Sequence, residues 1–208
     1  MPGFRYNKSL TGDNCDQMVN NILLAVSQSI ADGDALKLAS GKLTPAGSAD
    51  TQVDFIAQET KVSGATDLLY PLVVAARKNA RFKIGIIPLH NEVAAVSGTT
   101  TTVVIAQADY VGSELVGGIV YVKELNQQRV ITASSATSGG NITITVNEPF
   151  TSAPAAGNKV STVPFGIGGD PKLLTKNTVD TAIANKTGGP FNVFNVDMKG
   201  KAIEVVFK

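Results

Sequence analysis

Between residues 141 and 146 the chain runs Asn-Ile-Thr-Ile-Thr-Val, an unbroken alternation that sets Ile142, Ile144 and Val146 on one face and Asn141, Thr143 and Thr145 on the other. A period of two carried by β-branched residues fits a half-buried strand and cannot line one face of a helix. Similar stretches, short and bounded by turn residues, recur along the chain. They predict an all-β protein made of small β-sandwich or β-barrel (tulip-like) lobes with an extended N-terminal arm. Charged residues make up 17% of the 208, and 20 glycines help fill the gap, a balance that suits strands and turns better than charge-laced helices.

The arm is residues 1–20, rich in Asn, Asp and Gly and without sustained periodicity. Such a segment is either a frayed terminus or a strap that orders on a neighbouring subunit. A first β lobe is expected over residues 21–96. Its strands are residues 22–26, a segment with Leu36 and Leu38 on one side after the Ala31-Asp32-Gly33-Asp34 turn, and another with Val53, Phe55 and Ala57. Residues 68–76 and 81–87 follow, read as a β-hairpin with Arg77-Lys78-Asn79-Ala80 at its tip. Pro88 and the polar run 97–102 separate this lobe from a second, residues 97–208. There, residues 103–106 form a short strand, and 117–122 and 128–133 flank a polar turn at 123–127. After Pro149 regular structure should be sparse, with Asn177 or Thr178 capping a helical turn or two, and residues 202–207 should close the chain as a strand.

Eighteen Lys and Arg against 17 Asp and Glu leave a net charge of +1, which argues against nucleic-acid binding driven by overall charge. A lone cysteine, Cys15, closes no intrachain disulfide, and a lone histidine, His90, makes no two-histidine metal site. No window approaches the roughly 18 apolar residues of a membrane span, and the opening residues lack a signal-peptide core, so a soluble, non-exported chain is expected. No Gly-x-Ser-x-Gly elbow accompanies His90, which reads as structural. Asp32 and Asp34 are explained by turn geometry, Glu114, Glu124 and Glu148 occur singly, and Asp13-Asn14-Cys15-Asp16 lacks the Gly and closing Glu of a calcium loop. Gly166-Ile167-Gly168-Gly169 begins like a phosphate loop, but Pro171 and the missing βαβ frame argue for a surface loop. Neither enzyme chemistry nor a cofactor is expected. The densest charge is Arg77, Lys78, Arg81 and Lys83, read as a solvated hairpin tip or a patch that meets an acidic protein partner.

Two stretches resemble tailed-bacteriophage virion proteins that decorate or cement the capsid. The first is Ser27-Gln28-Ser29-Ile30-Ala31-Asp32-Gly33-Asp34-Ala35-Leu36-Lys37-Leu38 with Gly41-Lys42-Leu43-Thr44-Pro45 and Phe55-Ile56-Ala57. The second is Gly117-Gly118-Ile119-Val120-Tyr121-Val122 with Arg129-Val130-Ile131, Asn141 to Val146 and Asn147-Glu148-Pro149-Phe150. The resemblance spans residues 20–165. It implies a non-enzymatic protein made in the host cytoplasm and carried on the outer capsid surface, usually as a homotrimer. Such a protein clamps neighbouring major capsid proteins without touching nucleic acid or membrane directly. It also implies that the arm reaches across the capsomer, with Phe4 and Tyr6 as aromatic anchors, Arg5 beside them, and Leu10, Met18 and Val19 adding contact; Arg77, Lys78 and Arg81 are the further partner-facing candidates. Alternatives are a carbohydrate- or receptor-binding head or tail module using Tyr110, Tyr121 and Phe150, a hydrolase with a concealed acid pair, and the major capsid protein itself.

Overall fold

Strands dominate the computed structural model, which describes residues 5–9, 18–76, 80–107, 112–137, 139–174 and 178–208. In chain order they are β1 (Arg5–Ser9), β2 (Met18–Val19), β3 (Ser29–Ile30), β4 (Ala35–Ala39), β5 (Lys42–Pro45), β6 (Phe55–Ala57), β7 (Lys61–Val62), β8 (Val73–Ala75) and β9 (Ala80–Gly85). There follow β10 (His90–Gly98), β11 (Thr102–Ile105), β12 (Ile119–Val122), β13 (Gln127–Thr137), β14 (Asn141–Val146), β15 (Lys159–Val163), β16 (Phe191–Asp197) and β17 (Ala202–Phe207). The protein is all-β, and it contains both a barrel and facing sheets.

The barrel is closed in the order β10-β11-β14-β13-β12-β15. Its interior is filled by the inward half of each alternation: Val103 and Ile105, Val120 and Val122, Ile131, Ile142, Ile144 and Val146, and Val160. A barrel this narrow has a solid core and no lumen. Closure needs strong local coiling, and the register shifts between His90 and Val93, between Ala95 and Ser97, and between Ile131 and Ala133 supply it. β12 and β13 form the hairpin expected from the turn at 123–127, and β14 keeps its predicted bounds and burial alternation.

The remaining strands form a five-stranded sheet, β2-β8-β6-β4-β5, a four-stranded sheet, β1-β9-β17-β16, and the pair β3-β7. Ala35, Ile56 and Val74 of the first sheet share a core with Phe82, Ile84, Phe191, Val205 and Phe207 of the second. The other face of the five-stranded sheet buries Leu36, Leu43, Ala57 and Val73 against Leu24 and Ile30. With both faces covered, Phe55-Ile56-Ala57 and Val73-Val74 have no polar side, as expected for residues 68–76 and in place of the one-faced alternation expected at Val53, Phe55 and Ala57.

Several expectations are corrected. β8 and β9 are not a hairpin: β8 lies between β2 and β6, and β9 between β1 and β17, in different sheets. Each carries too much apolar surface for a two-stranded ribbon to bury, and β17, more than a hundred residues away, offers β9 the matching face Ile203, Val205 and Phe207. Residues 22–26 are not a strand; Leu24 makes an isolated bridge to Leu43. Leu38 does not share the burial of Leu36 and is exposed, because β4 runs past the edge of β6 after Leu36. β10 runs through the expected lobe boundary at 96/97, and β9 of the first expected lobe pairs with β17 of the second. The C-terminal stretch holds β15 and β16, and its helical content among the described residues is one 3-10 turn, Ile183–Asn185, preceded by Ala182 with no side-chain cap. Thr178 accepts a backbone bond from Leu174 instead, and Asn177 lies outside the described residues.

The barrel is joined to the sheets by apolar and polar contacts. Ile119, Val163 and Phe165 on its outside enter the core between the sheets. Gln128 of β13 donates from Nε2 to the Val196 carbonyl at 2.8 Å and accepts the Met198 N–H at 3.1 Å, so its amide acts as one residue of a strand paired with β16. Gln128→Ala is expected to lower stability by about 1–2 kcal/mol, at roughly 1 kcal/mol per lost bond, as measured by chemical denaturation.

Candidate partner-binding edge and a lysine-lined cleft

The four-stranded and five-stranded sheets each have two edges, and they are treated differently. β5 is covered by residues 23–25, where the Leu43 N–H donates to the Leu23 carbonyl and the Ala25 N–H to the Leu43 carbonyl. β16 is covered by the glycine turn at 166–169: Gly168 N–H donates to the Val193 carbonyl, and Val193 N–H to the Gly169 carbonyl. The surface loop read from the sequence thus lies at the surface and also covers an edge. The two other edges, β1 and β2, both come from the N-terminal segment.

The expected free arm is thus built into the sheets along part of its length. β1 pairs with β9 in the register Arg5↔Lys83, Tyr6↔Phe82, Lys8↔Arg81 and Ser9↔Ala80, and β2 pairs with β8 as Met18↔Val74 and Val19↔Val73. Val19 packs on the cluster around Leu24 and Ile30, while Met18 is exposed. Phe4 and Leu10 lie outside the described residues, as do Arg77 and Lys78. Arg81 is inside β9 and not at a hairpin tip. Its guanidinium carbon stands 3.3 Å from the Phe194 ring centroid and its Nη1 is 3.9 Å from a Glu204 oxygen, so its charge is engaged within its own sheet.

The remaining candidates separate clearly. His90 is buried with Nδ1 2.6 Å from Thr162 Oγ1 inside the barrel wall. Asp34 accepts the Ala31 N–H across the 31–34 turn, where Gly33 has φ +87°. Glu124 accepts the Lys159 N–H. Phe150 is buried in the barrel core, which removes it as an exposed sugar platform, and Tyr110, Cys15 and residues 13–16 lie outside the described residues. No group of three or more metal-ligating side chains occurs among the described residues.

Two carboxylates do meet at a cavity of about 210 Å3 lined by Lys37, Asp50 and Asp54. Burial works to raise the Asp50 pKa, but the Gly47 N–H and the bonded, charged Lys37 outweigh it and hold the carboxyl below its ordinary value. Asp54 accepts the Leu38 N–H at 2.8 Å and an amide hydrogen of Gln52. Both groups tie loops together, and the lowered pKa of Asp50 is the reverse of what a general acid needs.

A cleft of about 370 Å3 escaped the sequence reading. It lies between the barrel and the 198–201 turn, lined by Glu92, Tyr121, Lys123, Asn126, Ser161, Met198, Lys199 and Lys201. Three irregularities build it. The β10 bulge puts Glu92 at φ +56° with its N–H donated to Ser161 Oγ, the 123–126 turn puts Asn126 at +51°, and the 198–201 turn puts Lys201 at +48°. Left-handed backbone at residues other than glycine is uncommon and gathers at binding and catalytic sites. Glu92 is paired with Lys123 at 3.0 Å; the bond and charge of Lys123, helped by Lys201 and Lys159, hold its pKa below the ordinary value against a smaller desolvation effect. The signal in the sequence was the cluster Lys199-Gly200-Lys201, which nothing local connects to Lys123 or Glu92.

The fold so defined is a closed six-stranded barrel joined to a pair of facing sheets. No protein-family model, curated protein or solved structure matches the chain.

Proposed function

We propose that this is a non-enzymatic virion structural protein that attaches to the outside of a phage capsid and cements neighbouring major capsid proteins, acting as a homotrimer. The observation that carries the reading is the β1 edge. Its outer side pairs with no strand among the described residues, it comes from the N-terminal segment, and it carries Arg5 and Lys8 in register beside β9, where Lys83 adds a further cation. An open edge gives a partner main-chain hydrogen bonds, and a cationic one selects an acidic segment and discourages self-association. The burial needed is about 800 Å2 per partner, and attachment of a trimer at several points multiplies a modest affinity through effective concentration. The exposed apolar side chains of Met18, Val62, Leu68 and Tyr70 in the β2–β8 half of the molecule offer further contact surface.

Two variants test this on phage heads lacking the protein. Deletion of residues 1–16 removes β1 and spares β2, and Arg5→Glu with Lys8→Glu reverses the edge charge at full length. Each is expected to reduce head occupancy by about tenfold or more while the barrel remains folded by circular dichroism, and raising salt should weaken wild-type attachment. Undiminished occupancy in both variants would refute the role of the edge.

A further inference from the structure

We propose that the cleft between the barrel and the 198–201 turn binds a carboxylate-bearing monosaccharide of the uronic-acid type. The charge of the lining selects an anion. Of the three lysines there, Lys123 is neutralised by Glu92, whereas Lys199 and Lys201 form no ion pair within 4 Å among the described residues. The nearby acids Asp197, which accepts the Gly200 N–H at 2.8 Å, and Glu124, which accepts the Lys159 N–H at 2.7 Å, offset part of this charge but leave the four lysines 123, 159, 199 and 201 in excess over the three carboxylates 92, 124 and 197. Lys159 adds a further positive charge close enough to act on Glu92.

The size and the other lining groups select a sugar over a bare oxyanion. A volume of about 370 Å3 is several times what an inorganic anion fills, and the excess is walled by Tyr121, the Met198 side and the lysine stems. Those surfaces suit the C–H faces of a pyranose. Hydroxyl partners are present at the same wall. Tyr121 donates its hydroxyl to Asn126 Oδ1 at 3.1 Å, and the Asn126 amide nitrogen makes no hydrogen bond among the described residues. Ser161 accepts the Glu92 N–H through Oγ and keeps its own hydrogen to donate. Glu92, held ionised by Lys123, can accept from vicinal hydroxyls. The elements presenting these groups are fixed: the Gly85–Lys201 region is tied by the Ile86 N–H to the Lys201 carbonyl at 2.9 Å, and the 123–126 turn closes through the Asn126 N–H. A site whose groups are already placed loses little ordering entropy on binding. The assignment does not depend on attachment to a capsid.

The test is an amide-resolved NMR titration of the whole chain with glucuronate, glucose, inorganic phosphate and a hexaglutamate peptide. Glucuronate is expected to shift residues 121–126, 161 and 198–201 and to bind at least about tenfold more tightly than glucose or phosphate, a difference worth about 1.4 kcal/mol. Lys199→Gln with Lys201→Gln should weaken glucuronate about tenfold or more and leave glucose unchanged. Asn126→Asp provides a second variant in case the first is misfolded, since aspartate tolerates the left-handed backbone there and adds a repelling charge. Equal binding of phosphate reduces the cleft to a simple anion site, tighter hexaglutamate makes it a peptide site, and the absence of glucuronate shifts, or shifts indifferent to both variants, overturns the assignment.

Discussion

Phe207→Ala is expected to lower the unfolding free energy by about 3–5 kcal/mol, a large share of the total of roughly 5–15 kcal/mol available to a domain. Phe207 is almost fully buried at the centre of the shared core. Its ring meets Phe82 edge to face at 5.2 Å between centroids and Phe191 at 6.0 Å, so one truncation loses burial, these aromatic contacts and the packing between three strands. The neighbours lie on β9 and β16, which flank β17, and rigid backbone ladders keep them from collapsing into the space. Urea denaturation should show a lower midpoint, and Phe207→Leu, which keeps much of the apolar volume, should lose less. Among the described strands β1 pairs with β9 alone, so the alanine variant should also expose the N-terminal segment to protease more readily. A loss under 1 kcal/mol would mean that this core is not packed as described.

Gly118→Ala should cost about 3 kcal/mol or more, although it adds a single methyl group. A Cβ at Gly118 would overlap the Val163 carbonyl oxygen of β15 and lie 2.8 Å from that of Leu115 in the turn before β12, and both are backbone atoms. Neither can swing aside as a side chain would, because β12 and β15 are hydrogen-bonded along that seam through Ile119↔Val163 and Val120↔Thr162. Gly41→Ala is the control. Gly41 has φ +75° with open space around the position, so alanine there should cost only the left-handed backbone, about 1–2 kcal/mol. Denaturation midpoints of the two variants separate steric overlap from backbone strain, and equal losses would contradict the close approach at the barrel seam.

The strands legible from sequence were those whose burial has one dry and one wet face. β14 is of this kind, as is β17, whose Ile203, Val205 and Phe207 point into the core as the alternation requires, whereas β12, buried on both faces, was legible through the polar turn that joins it to β13. β10 and β16 were missed because His90-Asn91-Glu92-Val93 and Phe191-Asn192-Val193-Phe194-Asn195 do not alternate cleanly. β10 is bulged where it closes the barrel, and β16 is shifted in register between Val193 and Asn195, so a regular period is broken in both. The local pattern around Arg77-Lys78-Asn79-Ala80 suggested a hairpin since turn chemistry reports only neighbours in sequence.

The candidate surfaces divide in the same way. The N-terminal segment stood out by its composition, but pairing with β9 and β8 made it the source of both open edges, and that pairing depends on partners more than fifty residues away. The cleft was invisible for a related reason: Glu92, Lys123, Ser161 and Lys201 carry no common motif and are brought together by a bulge and two turns.

Residue pattern alone settled that the chain is all-β, that residues 141–146 form a strand with a fixed inward face, and that the chain turns at 31–34 and within 123–127. Each of those follows from local sterics and from the period of apolar residues. Which strands pair, which edges remain open and which charges share a cleft were decided by tertiary structure, because apolar faces are interchangeable in chemistry and only their combined shape and register select the partner.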